Sequence, residues 1–277
     1  MKKIFLTAII LTAFVMGLMI YGYVAEPSSE SASADLTKPP EISAKQAILM
    51  DSKSGEVLFE RNADEKGYPA STTKIMTAMV TLDICKQIGV GLDQTVTIPK
   101  EAAGVEGSSL YLKEGEERTL ENLLYGVMLR SGNDGATALA EVMGGNTAHF
   151  VDLMNEKAEK LGCTGTHFVN PTGLYDDQHY TTARDLAVIT RQAMNNKTFR
   201  KIVGSKSWEE YTNKNKTVFQ YEGATGVKIG FTKMSGRTLV ASAKRDGREL
   251  ICVVLSDGNW FNDAYALMDY GFEIEGD

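Results

Sequence analysis

Residues 68–77 read Tyr68-Pro69-Ala70-Ser71-Thr72-Thr73-Lys74-Ile75-Met76-Thr77. Ile75, Ala78, Met79 and Leu82 recur at three-, four- and seven-residue steps, which predicts a helix after Pro69 with one buried face. If Ser71 opens that helix, Lys74 lies three residues on and shares its face. A serine hydroxyl is a poor nucleophile until a neighbour accepts its proton. A lysine can accept it when its amine is neutral part of the time, a state that burial and nearby positive charge favour. The helix start also offers unpaired N–H groups to a developing oxyanion. Taken alone, Ser-x-x-Lys is a weak pattern, because an N-cap serine followed by a solvated lysine explains it equally well. The rest of the chain gives it weight.

Downstream, Ser131-Gly132-Asn133 interrupts a helical stretch that Thr119 caps and that buries Leu120, Leu123, Leu124, Val127 and Met128. A break of this kind lets Ser131 and Asn133 project into a cleft, where one could relay a proton and the other bind an amide; a plain helix-ending turn is the ordinary alternative. Further on, Lys228-Ile229-Gly230-Phe231-Thr232 lies at a predicted strand edge. Such an edge can pair with an extended peptide, with Lys228 supplying charge and Gly230 permitting close approach. An ordinary edge strand with an exposed lysine is the competing reading.

Around these patterns the order of elements predicts the fold class. A hairpin joins Ala47–Met50 to Val57–Phe59 through Asp51–Gly55. Helices follow, one on Phe150, Leu153, Met154, Ala158 and Leu161 with Gly162 at its end, another over Ala183–Met194. Thr182 and Asp185 suit a capping box. Then Leu239–Ala243 and Ile251–Leu255 read as strands around an Asp246-Gly247 turn, and Asn262–Tyr270 closes the chain as a helix. The expectation is an α/β (α+β) domain. Its mostly antiparallel sheet draws strands from both chain ends, with a helical block inserted between them.

The chain has 277 residues, 43% of them hydrophobic, and a net charge of -7. That suffices for one full core. The acidic balance excludes an ordinary nucleic-acid footprint. Cys85, Cys163 and Cys252 are too scattered for a disulfide framework or a metal site and are expected to be buried. His149, His167 and His179 form no HExxH pair, so a zinc peptidase is not expected. His179 is expected to be a hydrogen-bonded loop residue rather than a base. Lys2 and Lys3 precede an apolar run from Ile4 to Ala25, which marks an export signal. Residues 1–25 are either a signal peptide cut near Ala32-Ser33-Ala34 or an N-terminal membrane anchor. Residues 26–41 form a polar, Ser- and Pro-rich linker, and 42–277 the folded domain. Either reading makes the domain extracytoplasmic, secreted to the wall or tethered to the outer face of the plasma membrane.

The three patterns in this order resemble the penicillin-recognising serine enzymes, whose motifs are Ser-x-x-Lys, a Ser-x-Asn type and Lys-Thr-Gly. More closely, the chain is similar to the serine-type D-alanyl-D-alanine carboxypeptidases, the low-molecular-mass penicillin-binding proteins. The likeness runs roughly from Ile42 to Phe272 and is most specific at 68–77, 128–136, 168–174 and 181–187. It implies the β-lactamase and transpeptidase fold, Ser71 as acylated nucleophile, Lys74 as its base, and Ser131 and Asn133 on the far wall. It implies Lys228 and the 230–232 edge as the substrate-binding side, with the N–H groups of Ser71 and Phe231 as oxyanion hole. The implied substrate is a peptidoglycan stem peptide ending in D-Ala-D-Ala, with β-lactams as covalent inhibitors and no cofactor. Two rivals are a β-lactamase, which lacks a convincing Glu-x-x-x-Asn pattern over 168–182, and a catalytically weakened wall-binding homologue. Ile229 stands where the family usually has Thr; if it faces the cleft, one hydrogen bond to the substrate carboxylate is lost, about 1.5–3 kcal/mol. Thr232 and Arg237 are the candidate substitutes. Relatives often carry a further β-rich domain; with the chain ending at Asp277, the expectation is that none follows and that any tether is N-terminal.

Overall fold

The computed structural model describes residues 38–274. The expected leader (1–25) and all but the end of the 26–41 linker lie outside them. Among the described residues no helix is long and apolar enough to cross a membrane.

Five strands form the central sheet: β1 (Gln46–Asp51), β2 (Val57–Arg61), β3 (Ala224–Thr232), β4 (Gly236–Arg245) and β5 (Arg248–Leu255). Their spatial order is β2-β1-β5-β4-β3, and every pairing is antiparallel. Strand β1 pairs with β5 from Gln46↔Leu255 to Asp51↔Leu250, so both chain ends meet in mid-sheet as expected. Between β2 and β3 lies the helical block: α1 (Lys74–Ile88), α2 (Leu120–Tyr125), α3 (Asn133–Gly144), α4 (Thr147–Lys160), α5 (Ala183–Met194) and α6 (Lys197–Gly204). Helix α7 (Trp260–Glu273) closes the described chain.

The sheet is covered on both faces, which explains its long apolar strands. Alternate residues divide between two cores. Ile48, Met50, Val240, Ile251 and Val253 face the helical block. Ala47, Leu49, Leu239, Ala241, Cys252 and Val254 face α7 through Ala264, Leu267 and Met268. All three cysteines are free and buried.

Several boundaries differ from the sequence reading for physical reasons. Ser71 lies in a 3-10 turn over Ala70–Thr73 and makes no side-chain cap; α1 begins at Lys74. The helix capped by Thr119 runs into a wide π-type turn over Gly126–Arg130 and stops at Ser131, which is left-handed at φ 66°. Helix α3 was not expected, because Ser131–Gly135 reads as a turn. Its Ala136, Ala138, Leu139 and Ala140 are buried, and its open side carries only Thr137, Glu141 and the apolar Val142, so the polar stripe that marks a helical period is thin. Thr182 caps α5 by accepting from the Asp185 N–H. Asp185 does not complete the box: its carboxylate accepts from Gly165 N and Thr166 Oγ1 and ties that turn to the helix instead.

Candidate functional site

The turn preceding α1 is clamped from two sides. Pro69 carbonyl accepts from Thr72 Oγ1 at 2.7 Å and, from β4, Thr238 Oγ1 at 3.1 Å. Gly173 packs on the Ala70 carbonyl so tightly that a Cβ there would stand 1.8 Å from its oxygen, and Gly173 itself is left-handed. These contacts fix Ser71 at the junction of helix and sheet.

Lys74 is wholly buried at the start of α1. Its Nζ lies 3.0 Å from Ser71 Oγ, 2.6 Å from Asn133 Oδ1 and 2.6 Å from the Thr172 carbonyl. Asn133 Oδ1 and a carbonyl can only accept, so two amine hydrogens point at them. A neutral amine then has one lone pair left, directed at the serine hydroxyl. Burial, followed by the charges of Lys228 and Lys214, holds the Lys74 amine well below its ordinary 10.5, with Asp134 opposing. That is the neutral fraction a proton-accepting lysine needs.

Asn133 is itself held: its N–H donates to the Ser108 carbonyl at 2.7 Å and its Nδ2 to the Glu106 carbonyl at 2.7 Å. Asp134 pins the same loop by accepting from Leu110 N, Leu112 N and Ser109 Oγ. Ser131 is buried two residues before Asn133. Its hydroxyl makes no hydrogen bond among the described residues, which leaves it available to a ligand.

Across the cleft stands the edge strand β3. Lys228 is buried, donates to the Ile229 carbonyl at 2.9 Å, and burial with the Lys214 charge lowers it to about 7. Gly230 meets the Ser71 turn: a Cβ there would lie 2.8 Å from Ser71 N and 3.0 Å from the Pro69 carbonyl oxygen. Phe231 follows with its ring exposed.

The structure thus joins Ser71, Lys74 and Asn133 by hydrogen bonds, and places Gly230 against the serine and Lys228 within electrostatic reach of Lys74. Three expectations change. Ile229 packs with the core beneath α7, on the face opposite Lys228 and Gly230, so its bulk serves that core. Thr232 is not a free donor: its hydroxyl donates to Ser235 Oγ and accepts from Ser235 N inside the β3–β4 turn. Arg237 donates to the Gly258 carbonyl at 3.2 Å and lies over the Trp260 ring, also on the α7 side.

Sequence reasoning missed Thr172 as a Lys74 partner, although it falls inside the specific 168–174 stretch. It also missed Lys214, which no motif marks. His179 is buried, with the Val169 N–H donating to Nδ1 and Nε2 thereby left to donate to Thr73 Oγ1; burial lowers it to about 4. It is a neutral brace for the α1 turn, not a base.

Comparison with known proteins agrees with this geometry. A family profile described as peptidase S11, D-alanyl-D-alanine carboxypeptidase, matches residues 33–259. The chain is 33% identical over 258 residues to the D-alanyl-D-alanine carboxypeptidase DacF of Bacillus subtilis, covering 88% of this chain and 65% of that protein. It is 36% identical over 260 residues to DacC of Escherichia coli, covering 88% and 64%. It therefore spans a little under two thirds of these relatives' length. The crystal structure of the Streptomyces K15 DD-transpeptidase superposes with a TM-score of 0.80 at 34% identity, covering 86% of this chain and 100% of that one. The chain belongs to the peptidase S11 family of D-alanyl-D-alanine carboxypeptidases.

Proposed function

We propose that the protein is a serine D-Ala-D-Ala carboxypeptidase that trims the terminal D-alanine from peptidoglycan stem peptides through an acyl-enzyme on Ser71. The observation that carries this reading is the buried, charge-depressed Lys74 amine 3.0 Å from the Ser71 hydroxyl. Lys74 takes the hydroxyl proton as Ser71 Oγ bonds to the carbonyl carbon of the penultimate D-alanine. The C–N bond to the last D-alanine breaks, and the proton passes from Lys74 to its amine, with the buried, unengaged Ser131 hydroxyl as the relay. Water then hydrolyses the ester, and Lys74 again accepts a proton. The N–H groups of Ser71 and Phe231 receive the developing oxyanion; the approach of Gly230 to Ser71 N supports that pairing. Lys228 supplies the positive charge that draws the substrate's carboxylate into the cleft.

β-Lactams acylate the same serine in this reading. Lys2, Lys3 and the apolar run after them support export, which puts the catalytic domain beside its polymer substrate, either free or tethered. D-alanine release from a synthetic pentapeptide, with Ser71→Ala as control, tests the activity. Release abolished in the variant is expected. Rapid nitrocefin turnover without D-alanine release would favour a β-lactamase, and neither activity would favour a wall-binding protein.

A further inference from the structure

A cavity of about 490 Å3 opens at the end of the sheet away from the serine, where Asp51, Lys53, Arg200, Lys244, Arg248 and Glu249 are among its lining residues. Thr238 of β4 donates to the Pro69 carbonyl beside Ser71. Lys244 lies six residues further along the same strand, about 20 Å away at ~3.3 Å per residue. The cavity is therefore separate from the catalytic cleft. Its walls are tied across distant segments. The Ser52 N–H donates to the Glu249 carbonyl at 2.8 Å, and Arg191 of α5 donates to the Ser52 and Lys53 carbonyls at 2.9 and 2.7 Å.

The charges around this space do not cancel. Each acid is taken by one arginine: Glu249 Oε1 accepts from Arg200 Nη1, and Asp51 Oδ2 from Arg248 Nε. The carboxylates stand behind their partners, at 11% and 13% side-chain exposure against 37% for Arg200 and 23% for Arg248. Lys244 lies opposite Glu249 in the β4–β5 register, yet neither it nor the exposed Lys53 makes an ion pair among the described residues. Two positive charges are left over, in a chain whose net charge is -7. The arginines are also preset. Arg248 Nη1 donates to the Gly271 and Ile274 carbonyls, both at 2.8 Å, and Arg200 Nε to the Met194 carbonyl at 3.2 Å. Nη2 of each makes no hydrogen bond among the described residues and is not shut off from solvent. A guanidinium fixed through two nitrogens and open at the third is a preorganised oxyanion donor.

We propose that this cavity binds a dianionic phosphate group, with Lys53 and Lys244 neutralising it and the open Nη2 edges of Arg200 and Arg248 donating to its oxygens. A phosphate monoester carries close to two negative charges at neutral pH, which matches the surplus. Its tetrahedral oxygens point in several directions, as donors on different walls require, whereas a planar carboxylate offers one edge and half the charge. The same group occurs on a soluble phosphate monoester and on a monoester lipid headgroup. The assignment does not depend on the chemistry at Ser71.

Calorimetric titration of the full chain with glycerol 3-phosphate, set against acetate at the same ionic strength, tests the soluble source. Co-sedimentation with phosphatidylcholine vesicles, with and without phosphatidic acid, tests the lipid source. Glycerol 3-phosphate is expected to bind about tenfold tighter than acetate. The double variant Lys53→Met/Lys244→Met, folded by its melting curve, should lose about tenfold, since each exposed charge pair is worth up to about fivefold. Lys228→Met, which removes charge from the catalytic cleft, should bind as the parent does. Sedimentation that requires phosphatidic acid and fails in the double variant, without a preference in solution, would make the lipid headgroup the source. No preference for phosphate in either arm would overturn the proposal, and so would binding indifferent to the two lysines. Binding lost in Lys228→Met would place the anion in the cleft and overturn it as well.

Discussion

Gly230 on the edge strand touches Ser71 at the helix start: a Cβ on Gly230 would lie 2.8 Å from the Ser71 nitrogen. Sheet and helical block meet at this contact, and there is no room in it for a side chain. Gly230→Ala is expected to force β3 away from the turn and to slow penicillin acylation by about tenfold or more, since a misplacement near 1 Å can cost up to a hundredfold. Stopped-flow acylation kinetics beside a melting curve would check this. A folded variant with the wild-type rate would show that the approach has no part in catalysis.

Lys74 gives a pH prediction. Its amine must be neutral to accept the serine proton, and burial together with Lys228 and Lys214 lowers its pKa. Acylation should therefore rise with pH through that lowered pKa, well before an ordinary lysine titrates. Lys74→Met is expected to cost 10²–10⁴-fold, the usual range for a lost general base (~10³). Its residual rate should lose the rising limb. A variant that keeps the wild-type profile would assign the limb to another group.

The same depression has a stability consequence at Lys228. Its pKa falls to about 7 on folding from an ordinary 10.5, so between those values the unfolded chain binds the extra proton. Stability contributed through this group is thus least below about pH 7 and rises toward pH 10.5. Lys228→Met should abolish activity yet raise stability at pH 6 by up to roughly 5 kcal/mol, at about 1.4 kcal/mol per unit. The gain should shrink as pH increases. Denaturant melts at pH 6 and pH 9 would show it, and an equal or negative gain at pH 6 would contradict it.

Much of this was legible before the structure. The hairpins and the cap at Thr182 follow from local patterns, because capping, turn chemistry and periodicity act within a few residues, whereas the grouping of Ser71, Lys74 and Asn133 was legible only through the resemblance of the three motifs in order. The π-type turn before Ser131 and the helix α3 were not legible, since α3 is buried over most of its first two turns and its open side carries few polar residues to reveal its period. The roles of Thr172 and Lys214 depend on tertiary approach. The packing of Ile229 beneath α7 and the Thr232–Ser235 contacts were not legible either, because spacing along a strand does not say which neighbours a side chain already serves.

The buried acid pair Asp257 and Asp263 provides another check. Ser43 Oγ lies 2.6 Å from Asp257 Oδ1 and 2.9 Å from Asp263 Oδ2. One hydroxyl carries one hydrogen, so it donates to one carboxyl and accepts from the other only if that one is protonated. Burial raises the Asp257 pKa, with Asp263 adding to the rise. A carboxyl raised on folding stabilises below its unfolded pKa and loses that contribution as pH climbs through the folded value. Asp257→Asn, which keeps a hydrogen donor, should therefore gain on wild type in melting temperature as pH rises above the ordinary carboxylate range. A difference independent of pH would reject the shared proton.

The most direct measurement is intact-protein mass spectrometry after penicillin treatment, followed by mapping of the labelled peptide. A single adduct on the hydroxyl of Ser71, absent in Ser71→Ala and strongly slowed in Lys74→Met, is the predicted result. An adduct on any other residue, or undiminished labelling of the Ser71→Ala protein, would contradict the assignment of this serine and lysine as the reacting pair.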